Sequence, residues 1–133
     1  MTDIGFIGLG NMGAALVRRL LKDHTLHVWD LNPAAVDALV VEGAVAANGP
    51  EGVGASGAEL IITCLPTSAQ VEEVVFGPNG LKNSLSGGAL IADMTTGDPM
   101  ATKDMSARLA EEGIDLIDAP VSGGVAGAEA GTI

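Results

Sequence analysis

Three glycines and one aspartate are the residues whose spacing carries chemistry in this chain. Gly8-Leu9-Gly10-Asn11-Met12-Gly13 reads G-x-G-x-x-G and follows directly on the apolar run Ile4-Gly5-Phe6-Ile7. Leu16, Val17, Leu20 and Leu21 then recur at helical spacing. A strand, a glycine turn and a helix start, in that order, are what a dinucleotide pyrophosphate requires. Gly8 is expected to permit the tight turn, Gly10 to let backbone approach the phosphates, and Gly13 to let helix and strand pack closely. The N–H groups of the helix start and the positive end of its dipole would then face the anion.

The glycine pattern alone has little weight in a chain with 19 glycines among 133 residues. Its weight comes from the next strand, Thr25-Leu26-His27-Val28-Trp29, which ends in Asp30, 22 positions after Gly8. At that spacing an acid accepts hydrogen bonds from the adenosine ribose hydroxyls. The plain alternative is a surface aspartate that closes a strand before a helix cap. A carboxylate there repels a 2′-phosphate, and residues 31 to 36 supply no Arg or Lys to bind one. The expected cofactor is NAD, in preference to NADP.

These residues must be positioned by alternating strands and helices, a pattern that implies a parallel sheet covered on both faces. Asn32-Pro33 reads as a helix cap with proline at the first helical position, followed by Val36, Leu39 and Val40 facing inward and a stop near Gly43. Ala44-Val45-Ala46 reads as a short third strand, residues 50 to 58 as a short helix and residues 59 to 65 as a fourth strand. Thr67 and Gln70 fit a capping box ahead of Val71, Val74 and Val75 on one helical face. Gly77-Pro78-Asn79-Gly80 is a turn, and Ala89-Leu90-Ile91-Ala92 a fifth strand that ends at Asp93. Asp98-Pro99 opens another helix, with Ala101, Met105 and Leu109 at four-residue spacing, and Ile114 to Ile117 forms a sixth strand. Residues 118 to 133 read as a glycine- and alanine-rich loop. The carboxyl ends of these strands, carrying residues 8 to 13, Asp30, Leu65, Pro66, Thr95, Thr96 and residues 120 to 124, converge on one crevice.

At 133 residues the chain has the length of one domain, and 47% hydrophobic content places it among globular proteins. The net charge of −11 argues against nucleic acid or an anionic membrane surface as partner. The single cysteine, Cys64, lies in the apolar run Leu60-Ile61-Ile62-Thr63-Cys64-Leu65 and reads as a buried core thiol. No metal-ligand cluster, signal peptide or membrane-spanning run is apparent, so a cytoplasmic location is the default expectation.

Taken together, these segments resemble the β-hydroxyacid dehydrogenases, the group of 3-hydroxyisobutyrate dehydrogenase and tartronate semialdehyde reductase, with 6-phosphogluconate dehydrogenase a more distant relative. The resemblance rests on residues 5 to 13, on Cys64-Leu65-Pro66 with Val71 and Val74, and on Asp93-Met94-Thr95-Thr96 with Pro99. Its most specific part is Asp118-Ala119-Pro120-Val121-Ser122-Gly123-Gly124 running to Gly127-Ala128 and Gly131-Thr132.

The resemblance implies a Rossmann-type doubly wound α/β sheet spanning residues 1–133, without the family's last strands and its all-helical second domain. It implies Gly8, Leu9, Gly10, Asn11, Met12, Gly13, Asp30, Leu65, Pro66 and Thr96 as cofactor residues, with Leu65 and Pro66 lining the cofactor and Thr96 near the nicotinamide ribose. It implies Ser122, Gly123 and Gly124 as residues that hold the carboxylate of a short 3-hydroxy acid through hydroxyl and backbone N–H groups. The family has Ser where this chain has Thr95, which keeps the hydroxyl. The family's catalytic lysine falls beyond Ile133. Lys22, Lys82 and Lys103 are outside its motif, and His24 and His27 beside the second strand read as surface or packing residues, so no catalytic residue is expected here. A homo-oligomer is implied for the longer family members. A non-catalytic NAD-binding module is the alternative function, and a methyltransferase-like fold a third reading that residues 95 to 99 and the segment after Asp118 do not fit.

Overall fold

The computed structural model describes residues 2–132, so the terminal residues of the expected 1–133 domain lie outside the described part. Among the described residues, six strands and six α-helices alternate. They are β1 (Thr2–Ile7), α1 (Asn11–Leu20), β2 (His24–Trp29), α2 (Pro33–Val40), β3 (Val45–Ala46) and α3 (Pro50–Gly54). There follow β4 (Leu60–Thr63), α4 (Ser68–Phe76), a one-turn 3-10 helix (Leu81–Asn83) that carries Lys82, β5 (Leu90–Asp93), α5 (Pro99–Ala110), β6 (Asp115–Asp118) and α6 (Gly124–Ala130).

The strands form one sheet in the order β3-β2-β1-β4-β5-β6, and every pairing is parallel. The sequence therefore builds β1, β2 and β3 outward in one direction, then returns to β1 and builds β4, β5 and β6 in the other. That reversal opens a crevice beyond the carboxyl ends of β1 and β4.

Alternation within each strand sends successive side chains to opposite faces. Phe6, Leu26, Val28, Ile62 and Ala92 meet Leu16 and Val17 of α1, Val36 and Leu39 of α2 and Ala128 of α6 on one face. Ile7, Ile61 and Ile91 meet Val53, Val71, Val74, Val75, Met105 and Leu109 on the other, so α3, α4 and α5 cover that side. The continuous apolar runs of β1, β4 and β5 follow from burial on both faces.

Local caps start the helices where the residue types require it. Asn32 accepts from the Ala34 amide and Asp98 from the Met100 amide, each with proline at the first helical position. Thr67 accepts from the Gln70 amide. The Gln70 side chain closes the cap by accepting from the Thr67 hydroxyl at 3.2 Å.

Four expectations are corrected. Val40 is 40% exposed, because α2 ends there and only Val36 and Leu39 face the sheet. His24 lies within β2, which starts one residue before the expected strand, and His27, inside that strand, pairs its ring with Asp3 at 2.9 Å. Cys64 is half-buried, because β4 ends at Thr63 and its successor emerges at the crevice. Residues 124 to 130, read as loop, form α6, whose Gly127 and Ala128 are buried. Its small side chains give little helical preference alone. They let α6 lie close against α1, and that burial makes the helix.

Candidate functional site

The glycine turn divides its tasks among its three glycines. Gly8 adopts φ +105°, and a Cβ there would collide with the Cys64 carbonyl oxygen. Gly13 stands in the first turn of α1, where a Cβ would collide with the Gly8 carbonyl oxygen and press on the Phe6 ring. Gly10 differs from both. Its backbone is ordinary, with φ −66° and ψ −172°, and a Cβ would meet no atom within 4 Å. The space over Gly10 is crevice. Gly10 also opens α1 with no side-chain cap, which leaves first-turn N–H groups free to take an anion.

Asp30 does more than its position in sequence implies. Its Oδ2 accepts from the Leu9 amide at 2.6 Å, and its Oδ1 accepts from the Asn32 amide at 2.8 Å. One carboxylate thus ties the glycine turn to the start of α2. Each oxygen has a further lone pair, so the group keeps acceptor capacity toward the crevice that it lines.

That crevice measures about 470 Å³ and is lined by Gly8, Gly10, Asn11, Met12, Gly13, Asp30, Leu65 and Pro66 from among the expected cofactor residues. Trp29, Leu31, Cys64, Gln70, Glu73 and Val74 complete it. The Leu9 side chain is buried at 4% exposure, and its amide is the one held by Asp30. Thr96 is exposed and opens on a neighbouring depression that shares Pro66 and includes Thr67, Ser68 and Asp98. Ser122, Gly123 and Gly124 stand at the start of α6, exposed. Gly123 and Gly124 have φ of +110° and +65°, backbone that other residues rarely adopt.

A buried polar group at the tips of β4 and β5 escaped the sequence. Thr63 and Asp93 are partners in register, and the Thr63 hydroxyl donates to Asp93 Oδ1 at 2.9 Å. The same oxygen accepts from the Thr95 amide at 3.0 Å. The Thr95 hydroxyl in turn accepts from the Leu65 amide at 2.9 Å. A Thr and an Asp that close adjacent strands were the only available signal. Burial first, and the Asp93 carboxylate second, push the Cys64 thiol above its ordinary value.

No group of His, Cys, Asp and Glu suited to a metal occurs among the described residues. None of Lys22, Lys82 and Lys103 lines the crevice. No helix among the described residues is long and apolar enough to cross a membrane.

A doubly wound parallel sheet with an uncapped glycine turn at its switch point and an acid at the tip of the second strand defines a dinucleotide-binding domain. The chain belongs to the family described as the NAD binding domain of 6-phosphogluconate dehydrogenase, which matches residues 3–133. It is 45% identical over 131 residues to 2-(hydroxymethyl)glutarate dehydrogenase of Eubacterium barkeri, covering 98% of this chain and 43% of that protein. It is 43% identical over 134 residues to 3-hydroxyisobutyrate dehydrogenase of Pseudomonas aeruginosa, covering 100% of this chain and 45% of that one. The fold superposes on Psf3, solved in complex with NADP+ and 2-OPP, with TM-score 0.90 and 37% identity over 96% of this chain and 45% of that chain. The chain therefore spans a little under half the length of the curated relatives it matches.

Proposed function

We propose that this chain is the dinucleotide-binding part of an oxidoreductase that transfers a hydride between NAD and a short 3-hydroxy carboxylic acid. The observation that carries the reading is Asp30, set at the rim of the crevice beside an uncapped helix start. Its carboxylate offers acceptors to ribose hydroxyls and opposes a 2′-phosphate, and residues 31 to 36 hold no counter-cation. NAD is the preferred cofactor on that ground. The nicotinamide supplies the hydride chemistry when bound. Asn11, Met12 and Gly13 offer backbone N–H groups to the pyrophosphate, while Leu65 and Pro66 form the opposite lip. Ser122, Gly123 and Gly124 offer a hydroxyl and adjacent amides to a substrate carboxylate. The names of the relatives, among them 3-hydroxyisobutyrate dehydrogenase and 3-sulfolactaldehyde reductase, favour a substrate of this size and class.

The crevice contains no lysine or histidine to move a proton at the substrate hydroxyl. A positioned acid or base contributes about 10²–10⁴ in rate, so this polypeptide alone is expected to bind cofactor with little or no turnover. Thermal-shift and fluorescence titrations with NADH, NADPH and S-adenosylmethionine test the reading. Stabilisation by NADH above NADPH supports it. A response to S-adenosylmethionine alone overturns it, and robust oxidation of 3-hydroxyisobutyrate by residues 1–133 overturns the account of activity.

A further inference from the structure

The crevice has two lips, and only one is explained by the glycine turn and Asp30. The other is Leu65 with Pro66, immediately after β4. Beyond Thr63 this strand loses regular support: the Cys64 amide still donates to the Ile7 carbonyl at 2.9 Å, and Pro66 has no amide to donate. Leu65 supplies the last backbone donor before the chain turns. Its partner is a side chain, the Thr95 hydroxyl.

Thr95 is itself held. Its amide donates to Asp93 Oδ1 two residues back, the local turn that aspartate favours, and the Thr63 hydroxyl loads the same oxygen from the neighbouring strand. Thr63, Asp93 and Thr95 are 0%, 1% and 3% exposed. A polar group this deep is a poor device for packing, since well-packed apolar residues of similar volume often serve stability as well or better. Its geometry does something that apolar residues would not: it fixes one amide at the lip.

We propose that Asp93 and Thr95 are positioning residues that hold Leu65 and Pro66 against the nicotinamide-side half of the bound dinucleotide, an inference that rests on the cofactor reading above. The half is assigned by topology. Asp30 stands at the tip of β2, on one side of β1, and Leu65 follows β4 on the other. A dinucleotide with its adenosine ribose at Asp30 and its pyrophosphate over Gly10 carries its remaining half toward β4.

The test uses Thr95→Val, which keeps shape and removes the acceptor, Thr95→Ser, which restores it, and Thr63→Val, which removes one of the donors to Asp93. Titrations with NADH and with ADP separate the two halves. Thr95→Val is expected to weaken NADH by about tenfold, the effect of one half-buried amide left unpaired when cofactor covers it, and ADP by less than about twofold. Thr95→Ser is expected to bind both as the parent does. Equal weakening of NADH and ADP, or no weakening of NADH, overturns the proposal. Amide hydrogen exchange reads the lip without cofactor: Leu65 should exchange at least about tenfold faster in Thr95→Val, with Ile62 unchanged. Unchanged Leu65 exchange overturns the proposal even where NADH binds. Failure of the parent chain to bind NADH overturns the cofactor reading instead. If Thr95→Val does not fold, Thr63→Val decides, with faster Leu65 exchange and selectively weaker NADH expected, and parental values for both overturning the proposal.

Discussion

The Leu9 amide donates to Asp30 Oδ2 over 2.6 Å, so the acid that we propose meets the adenosine ribose also clamps the glycine turn. On the proposed reading, cofactor choice and loop order share one carboxylate. Asp30→Asn keeps the size of the side chain but offers an amide nitrogen in place of one acceptor oxygen. Loss of a hydrogen bond to a charged group is worth about 1.5–3 kcal/mol, so NADH should bind roughly 10- to 100-fold more weakly in titrations. NADPH should not gain a site, because relief of repulsion comes with a loosened turn. An Asp30→Asn chain that binds NADPH as tightly as the parent binds NADH would refute this coupling.

Gly10 and Gly13 should respond oppositely to alanine. At Gly10 a Cβ meets nothing within 4 Å and the backbone is ordinary, so Gly10→Ala should keep stability within about 0.5 kcal/mol while obstructing the dinucleotide. At Gly13 the Cβ collides with the Gly8 carbonyl, and overpacking of this kind costs about 1–3 kcal/mol or more. Thermal unfolding and NADH titration of the two variants check the contrast. Equal loss of stability in both would show that Gly10 is structural.

Cys64 should react slowly. Burial, then the nearby Asp93 carboxylate, raise its thiol above the ordinary value, which shrinks the thiolate fraction at any lower pH, and thiolate is the nucleophile. Alkylation at about pH 8 should be slower than for a free thiol, should keep rising past the pH where a free thiol levels off, and should fall on addition of NADH. Asp93→Asn removes one of the two causes and should speed labelling. The folded chain holds this proton more tightly than the unfolded one. Stability should therefore decline as pH rises from the ordinary thiol range toward the folded-state value.

Docking of α6 on α1 depends on small residues. Ala128 is fully buried, so Ala128→Leu should lower stability by about 1–3 kcal/mol and release the segment carrying Ser122, Gly123 and Gly124 from its place. Circular dichroism melts and hydrogen exchange of residues 124–130 measure this. An unchanged melting temperature would mean that α6 is not held by this contact.

Much of the fold was legible because its signals are local. The caps at Asn32, Thr67 and Asp98 rest on hydrogen bonds within a few residues, and the apolar runs of β1, β4 and β5 require burial on both faces. α6 was illegible because glycine and alanine carry no amphipathic stripe. What made it a helix was α1, more than a hundred residues earlier in the chain. The Asp93 network was hidden for a related reason, since Thr63 and Asp93 are 30 positions apart in sequence.

By itself the sequence determined a glycine turn between a strand and a helix, an acid 22 positions after its first glycine, and the alternation that lays both on one edge of a parallel sheet. These depend on steric permission and period, which residue types fix directly. Only the tertiary structure decided that Asp30 grips Leu9, that Gly10 alone of the three glycines faces open space, and that Thr95 holds the far lip. Each depends on how strands and turns are placed by sheet register, and register becomes definite only when the whole core is packed.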